Sequence, residues 1–457
     1  MPRALRAAPV PILCAIATFW ALALPVMAKA PEVAANPAVT TFTLDNGMDA
    51  VVIEDTRAPV VTHMVWYRVG SADEPWGDSG IAHFFEHMMF RGSENYPEGV
   101  AGRIIAENGG SENAFTSYDY TAYFQRIAAD RLDLVMGLEA DRIANLIIND
   151  DVTATERKVI LEERNQRTDT SPQQLFAEQM RAALFLNHPY AVPVIGWRHE
   201  IEQLSTADLK AFYDRFYTPD NAILVVAGDV DPAEVKALAE KHYGPLKPSG
   251  NPPQARPAEP PQLAPRRMVM DDPKVRQPYV MRLYKVPSYA SGTPEEAAAL
   301  HVLSEVLGIG ISSRFAAKLQ LKDKTAISTG SWYSASARDA SGFGIWGVPT
   351  PGTDLSQVEA DLDEVIAELA ASGPTEEELD RVKRKLRAAR IFAKDSVSSQ
   401  ANLYGRTLSV GLTVEDVDRW PAYVEAVTAE DVAAAANKHL NLDRSVTGWL
   451  MREEVTQ

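Results

Sequence analysis

Residues 245–265 read Pro245-Leu246-Lys247-Pro248-Ser249-Gly250-Asn251-Pro252-Pro253-Gln254-Ala255-Arg256-Pro257-Ala258-Glu259-Pro260-Pro261-Gln262-Leu263-Ala264-Pro265, eight prolines in 21 residues. Each proline fixes φ and removes a backbone donor, so the stretch suits neither a helix interior nor a central strand. It is a joint, and the pattern starts over on its far side. Before it come strand-like runs at 48–53 and 60–69, a helical pattern at 130–147 and a closing strand at 222–227. After it come strand-like runs at 279–284 and 342–348, a helix at 375–392 opened by Thr375 as N-cap, and a closing strand at 445–450. The reading is an α+β chain of two related α/β domains, a duplicated unit with weak internal identity. The expected boundaries are 38–245, a proline-rich linker at 246–275, and 276–457.

Composition narrows the function. The chain has 457 residues, 46% hydrophobic and 23% charged, which are ordinary globular values. With 45 Lys and Arg against 62 Asp and Glu, the net charge is −17, which argues against binding nucleic-acid phosphates. The charge is uneven: residues 31–245 carry 17 basic and 34 acidic groups, residues 246–457 carry 25 and 28. The plain reading of this excess is solubility; a sharper one is attraction of basic peptides to the first half. Arg3 and Arg6, an apolar run at 9–26, and small residues up to Ala28 and Ala30 follow the order of a secretory signal peptide, expected at 1–28. The alternative, an uncleaved anchor, has Pro9, Pro11 and Pro25 against it. The only cysteine, Cys14, lies inside this leader, so the mature chain has neither disulfide nor thiol chemistry. A soluble exported protein, periplasmic and free of the membrane after processing, is expected.

The chemistry is concentrated in Gly80-Ile81-Ala82-His83-Phe84-Phe85-Glu86-His87-Met88-Met89-Phe90, which contains H-x-x-E-H. On a helix these positions share one face, so His83 and His87 can hold one Zn²⁺ with Glu86 beside it. Chance histidines would give this pattern about 0.01 times in such a chain. A catalytic zinc usually takes three protein ligands. Glu156-Arg157-Lys158-Val159-Ile160-Leu161-Glu162-Glu163 offers a third. If helical, Glu156 and Glu163 share a face seven residues apart while Glu162 points to solvent. Glu163 then suits a ligand and Glu156 a supporting carboxylate; the alternative is an exposed charged helix.

With these motifs the chain resembles the pitrilysin/insulinase family of zinc peptidases, in particular its half-size, mitochondrial-processing-peptidase-like branch. The resemblance extends through Asn108-Gly109-Gly110-Ser111-Glu112-Asn113-Ala114-Phe115-Thr116, His188-Pro189-Tyr190 and Phe216-Tyr217-Thr218-Pro219-Asp220-Asn221. It implies that two α+β domains form one half of a clam-shell peptidase chamber. It implies zinc on His83, His87 and Glu163, Glu86 as base and Glu156 as auxiliary carboxylate. It also implies that Asn113, Ala114, Phe115 and Thr116 form an edge strand pairing with extended substrate, which suits their β-prone character. One departure stands out. Where the family's second half supplies an Arg and a Tyr to the substrate, this chain has Gln320 and Ile327. His301 and Glu305, at the place where the zinc helix would repeat, read as structural. The leading expectation is therefore a zinc endopeptidase subunit completed by a homologous partner that carries the Arg–Tyr pair. Alternatives are a homodimer in which Arg314 or Tyr333 stands in, a peptide-binding scaffold without activity, and a zinc hydrolase of non-peptide substrates.

Overall fold

The computed structural model describes residues 38–251 and 253–452; the expected leader lies outside them. The first sheet contains β1 (Val39–Thr43), β2 (Asp49–Glu54), β3 (Val60–Tyr67), β4 (Ser111–Thr116), β5 (Thr121–Ala128) and β6 (Ala222–Gly228), in the order β1-β2-β6-β3-β5-β4. Its principal helices are α1 (Ile81–Met88), α2 (Leu132–Ala144), α3 (Asp150–Arg164) and α4 (Pro172–Leu184). The second sheet contains β7 (Arg266–Asp271), β8 (Tyr279–Val286), β9 (Ala326–Tyr333), β10 (Ser341–Pro349) and β11 (Ser445–Met451), in the order β7-β11-β8-β10-β9. Helices α5 (Pro294–Gly308), α6 (Glu376–Lys394) and α7 (Val397–Ser409) belong to this half.

Setting β1 aside, the two sheets have one topology. β2 runs parallel to β6 as β7 does to β11, and β3 is antiparallel to β6 as β8 is to β11. The fold is α+β, built from a repeated unit. The expected helices are present with small shifts. The 130–147 pattern becomes α2 because Ala129–Arg131 forms a tighter 3₁₀ turn ahead of it and Asn145 closes it. Thr375 caps α6 as expected, its hydroxyl accepting from the Glu378 N–H while the Glu378 carboxylate accepts from the Thr375 N–H at 2.8 Å.

The strap between the sheets differs from the expected linker at 246–275. Residues 266–271 are free of proline and alternate in burial, and Arg266–Asp271 pair with β11 as an edge strand. Upstream of it, Arg256 is buried and ion-pairs with Asp73, Asp119 and Asp339. Glu259 accepts hydrogen bonds from the backbone N–H groups of Leu186, Asn187 and His188.

Every residue of β3 after Val60 is buried, because both faces of the first sheet are covered. Val65 and Tyr67 meet Phe84, Phe85 and Met88 of α1. Met64 and Trp66 meet Ala401 and Tyr404 of α7, a helix from the other half of the chain. The exchange is mutual: α4 lays Phe176 and Met180 against Leu283, Val446 and Leu450 of the second sheet. Each contact needs a glycine. A Cβ on Gly405 would sit 2.1 Å from the Trp66 ring, and one on Gly448 would sit 2.2 Å from the Met180 sulfur. Among the described residues no helix is long and apolar enough to cross a membrane.

Candidate metal centre

Helix α1 starts abruptly at Gly80, whose φ of 87° is left-handed and whose missing side chain admits the Ile195 carbonyl, 2.6 Å from where a Cβ would lie. The half-buried Glu74 carboxylate accepts from the Gly80 and Ala82 N–H groups at 3.0 and 2.9 Å, satisfying the helix's first donors. Phe84, Phe85 and Met88 are fully buried and fix the helix's rotation, which sends His83, Glu86 and His87 to the opposite side.

Helix α3 is capped by Asn149, whose side chain accepts from the Val152 N–H at 3.0 Å. It buries Thr153, Glu156, Ile160 and Arg164, the i, i+3, i+7 and i+11 positions of one face. Arg164 donates to Glu178 at 2.9 Å and to the Gly196 carbonyl at 2.7 Å. Gly196 in turn packs against Gly80, so the end of α3 and the start of α1 are held through one contact.

The two helices bring ligand atoms of His83, His87 and Glu163 within 4.8 Å of one another. Glu163 Oε2 lies 3.2 Å from His87 Nε2 and 3.7 Å from His83 Nε2. Glu156 Oε1 lies 2.7 Å from His87 Nδ1, and its other oxygen pairs with Arg91. A carboxylate at Nδ1 holds a proton there, so that the neutral ring keeps its Nε2 lone pair, on the side of Glu163, free for a metal. Arg167 pairs with the second Glu163 oxygen at 2.6 Å, and Glu162 is exposed.

Burial, aided by the neighbouring His87, lowers the pKa of His83 to about 4, so its ring is a neutral donor. Burial opposes charge on His87 too, but the hydrogen bonds it donates to Glu156 and Glu163 outweigh it and raise that pKa to about 9. Two carboxylates thus stabilise positive charge at this point. Burial raises the pKa of Glu86 against the opposing hydrogen bond from Thr116 Oγ1, 2.5 Å from Glu86 Oε2.

Strand β4 is the edge of its sheet, as expected for residues 113–116. Only Thr116 of these four bonds to the α1 carboxylate. Asn113 accepts from the Ala114 N–H, Ala114 packs on the α1 side of the sheet, and Phe115 stacks edge-on to Trp66 on the α7 side. The contacts of Arg91, Arg167 and Glu74 were not singled out from the sequence. The first two stand four residues after His87 and Glu163, a spacing that carries the signal; Glu74 has no such pattern.

The second half lacks this arrangement. Glu305 pairs with Lys385 at 2.7 Å and His301 lies beside Trp420, so they form no such group among the described residues. Gln320 donates to Thr329 at 2.7 Å, and Ile327 is half exposed on β9. Arg314 is engaged with Glu378 and the Gly373 carbonyl, and Tyr333 donates to the Pro287 carbonyl at 2.7 Å. Both side chains suggested as stand-ins for the Arg–Tyr pair are therefore committed to the fold.

Comparison with known proteins agrees with this division. Residues 50–197 match the family model described as insulinase (peptidase family M16), and residues 203–386 match the peptidase M16 inactive domain. The chain is 30% identical to the zinc protease PqqE of Helicobacter pylori, over 91% of this chain and 93% of that one. It is 24% identical to the beta subunit of the mitochondrial-processing peptidase of Lentinula edodes, over 89% and 88%. A crystal structure of a protease from Helicobacter pylori superposes with a TM-score of 0.84 at 30% identity, covering 91% of this chain and all of that one. The periplasmic protease PqqL of Escherichia coli gives 0.76 at 20% identity, with 93% of this chain matching 49% of that one. With two such units in one topology, and a metal-ligand group in the first but none among the described residues of the second, the chain belongs to the insulinase family, peptidase family M16, and has the fold of half a clam-shell peptidase.

Proposed function

We propose that this chain is the catalytic subunit of an exported zinc metallo-endopeptidase that hydrolyses extended peptides. The observation that carries it is the convergence of His83, His87 and Glu163, with Glu86 held by Thr116 at the end of an edge strand. Two imidazoles and one carboxylate, with a second carboxylate on the far nitrogen of His87, suit zinc. His83, His87 and Glu163 would hold the ion, which supplies Lewis acidity toward a water and the scissile carbonyl. Glu86 accepts the proton of the attacking water and delivers it to the leaving amine. Thr116 orients Glu86. Strand β4, through Asn113, Ala114, Phe115 and Thr116, offers its free edge to the backbone of an extended peptide. Glu156 is the auxiliary carboxylate, acting through His87.

Where the family's second half supplies a cation and a phenol to the substrate, this chain has Gln320 and Ile327, and Arg314 and Tyr333 are engaged elsewhere. A homologous partner carrying the Arg–Tyr pair completes it, making the working enzyme a heterodimer rather than a homodimer. Losing one such donor typically costs about 3–4 kcal/mol of transition-state stabilisation, so the lone chain is a poor enzyme. Export to the periplasm follows from the signal-like leader. The same Gln320 and Ile327 favour the second reading, a peptide-binding scaffold without activity.

Glu86→Gln decides between them. The expected result is unchanged zinc content and a loss of turnover on the order of 10²–10⁴-fold, measured with the partner present. Activity within a few-fold of wild type would overturn Glu86 as base, and no peptide hydrolysis by wild type with any co-purifying partner would leave the scaffold reading.

A further inference from the structure

The second half holds a cavity of about 430 Å³ at its counterpart of the metal centre. His301 stands 15 residues beyond the end of β8, as His83 stands 16 beyond the end of β3. Helix α6 follows β10 with one helix between, as α3 follows β5. In the first half these places carry acidic and imidazole donors. In the second they carry His301, Arg390 and the end of β9 at Tyr333, joined by Arg406 and Trp420.

Two arginines line this cavity. Arg390 is half-buried, and its NH1 and NH2 share a single backbone acceptor, the Val417 carbonyl oxygen, at 3.4 Å each. Burial lowers its pKa, only partly offset by Tyr404 and Asp418. Arg406 lines the same space from α7 and forms no ion pair among the described residues. The carboxylate in the lining, Asp416, already accepts from the Tyr289 hydroxyl at 3.0 Å and from the Thr413 N–H and hydroxyl at 2.7 and 2.8 Å. His301 is held neutral mainly by burial. The cavity therefore presents two guanidinium forks in a mixed wall, with Tyr289, Trp420 and Leu412 among its apolar members and serine hydroxyls among its polar ones. The first half contributes Ser117, the residue after Thr116, and Tyr120. The cavity wall thus begins one residue beyond the edge strand.

We propose that this cavity binds a carboxylate of a peptide held along β4, through Arg390 and Arg406, with Trp420 against its apolar part. The inference rests on the proposed function for the presence of a peptide on β4. The carboxylate comes from the chain's C-terminus or from an acidic side chain, and these differ in what abolishes binding.

The test is equilibrium binding, read by calorimetry on the full mature Glu86→Gln protein so that no peptide is cut. Short peptides with a free C-terminus are compared with their C-terminal amides, and Glu-containing peptides with Gln-containing ones. Arg390→Gln and Arg406→Gln are each expected to weaken the acidic peptide roughly tenfold. Neither changes affinity for the neutral analogue. Loss on C-terminal amidation identifies the terminus as the source, and loss on Glu-to-Gln exchange identifies the side chain. Equal affinity for acidic and neutral peptides, no measurable binding of either, or equal weakening of both by the arginine variants would overturn the proposal. Unchanged melting temperature in the variants excludes a folding defect. Because hydrolysis is not the readout, charge-selective binding by an inactive wild type would sink the peptidase reading and leave this one standing.

Discussion

Glu156 touches neither the predicted water nor the predicted peptide, yet it fixes which nitrogen His87 offers. Its oxygens are divided between His87 Nδ1 and Arg91. Glu156→Gln keeps the shape and removes the charge that holds the Nδ1 proton. Zinc affinity is expected to fall about 10–100-fold, measured by chelator competition, whereas Glu163→Gln removes a ligand and is expected to abolish stoichiometric zinc in elemental analysis. At this scale much of the site was legible. The i, i+4 histidines and the seven-residue spacing of Glu156 and Glu163 are properties of helical geometry, and the helices formed where the pattern put them. What was not legible were single residues that act across long sequence distances. Glu74 at the start of α1, Thr116 on Glu86 and Arg256 in the strap belong to no periodic pattern. Only the folded chain brings Arg256 to Asp73, 183 residues away.

Helices α4 and α7 show the matching limit for elements. Their apolar stripes announce a buried face but not its partner, and each partner turns out to be the sheet of the other half. Strand β7 was hidden by its proline-rich neighbours, since pairing with β11 is a property of the assembled sheet. The exchanged helices make a test with a definite sign. In an exposed helix Gly→Ala gains about 1 kcal/mol. At Gly405 the new methyl would meet the buried Trp66 ring at 2.1 Å, and a ring packed on both sides cannot retreat. Gly405→Ala is therefore expected to destabilise by about 1–3 kcal/mol in urea titration. Gly448→Ala meets the flexible Met180 sulfur first and the Phe176 ring at 2.5 Å, so its cost is expected to be the smaller of the two.

Across the whole molecule, one guanidinium ties the strap to both halves. Arg256 reaches Asp73 and Asp119 from the first and Asp339 from the second. Arg256→Met leaves these carboxylates without their cation and is expected to cost about 3–5 kcal/mol by chemical denaturation. The pH dependence has a clear direction at Asp339. Burial opposes its charge, but hydrogen bonds from His188 and Arg256 prevail and lower its pKa to about 2. Its unfolded value is about 3.9, so its contribution is complete above pH 4 and fades as pH falls toward 2. The stability difference between wild type and Asp339→Asn is expected to shrink across that window.

The reciprocal helix exchange also sets an order of events in time. The first sheet is complete as a sequence once β6 has been made, at Gly228, but the helix that covers its Trp66 face begins only at Val397. At about 5–20 residues per second, synthesis of the intervening chain takes roughly 10–30 s. Throughout that interval Val51, Met64, Trp66 and Val225 have no covering helix of their own half to shelter under. The period in which the nascent chain is prone to aggregate is therefore written into the sequence as the distance from β6 to α7. A circular permutant that brings α7 ahead of β1 would shorten it while keeping the same helix on the same face of the sheet.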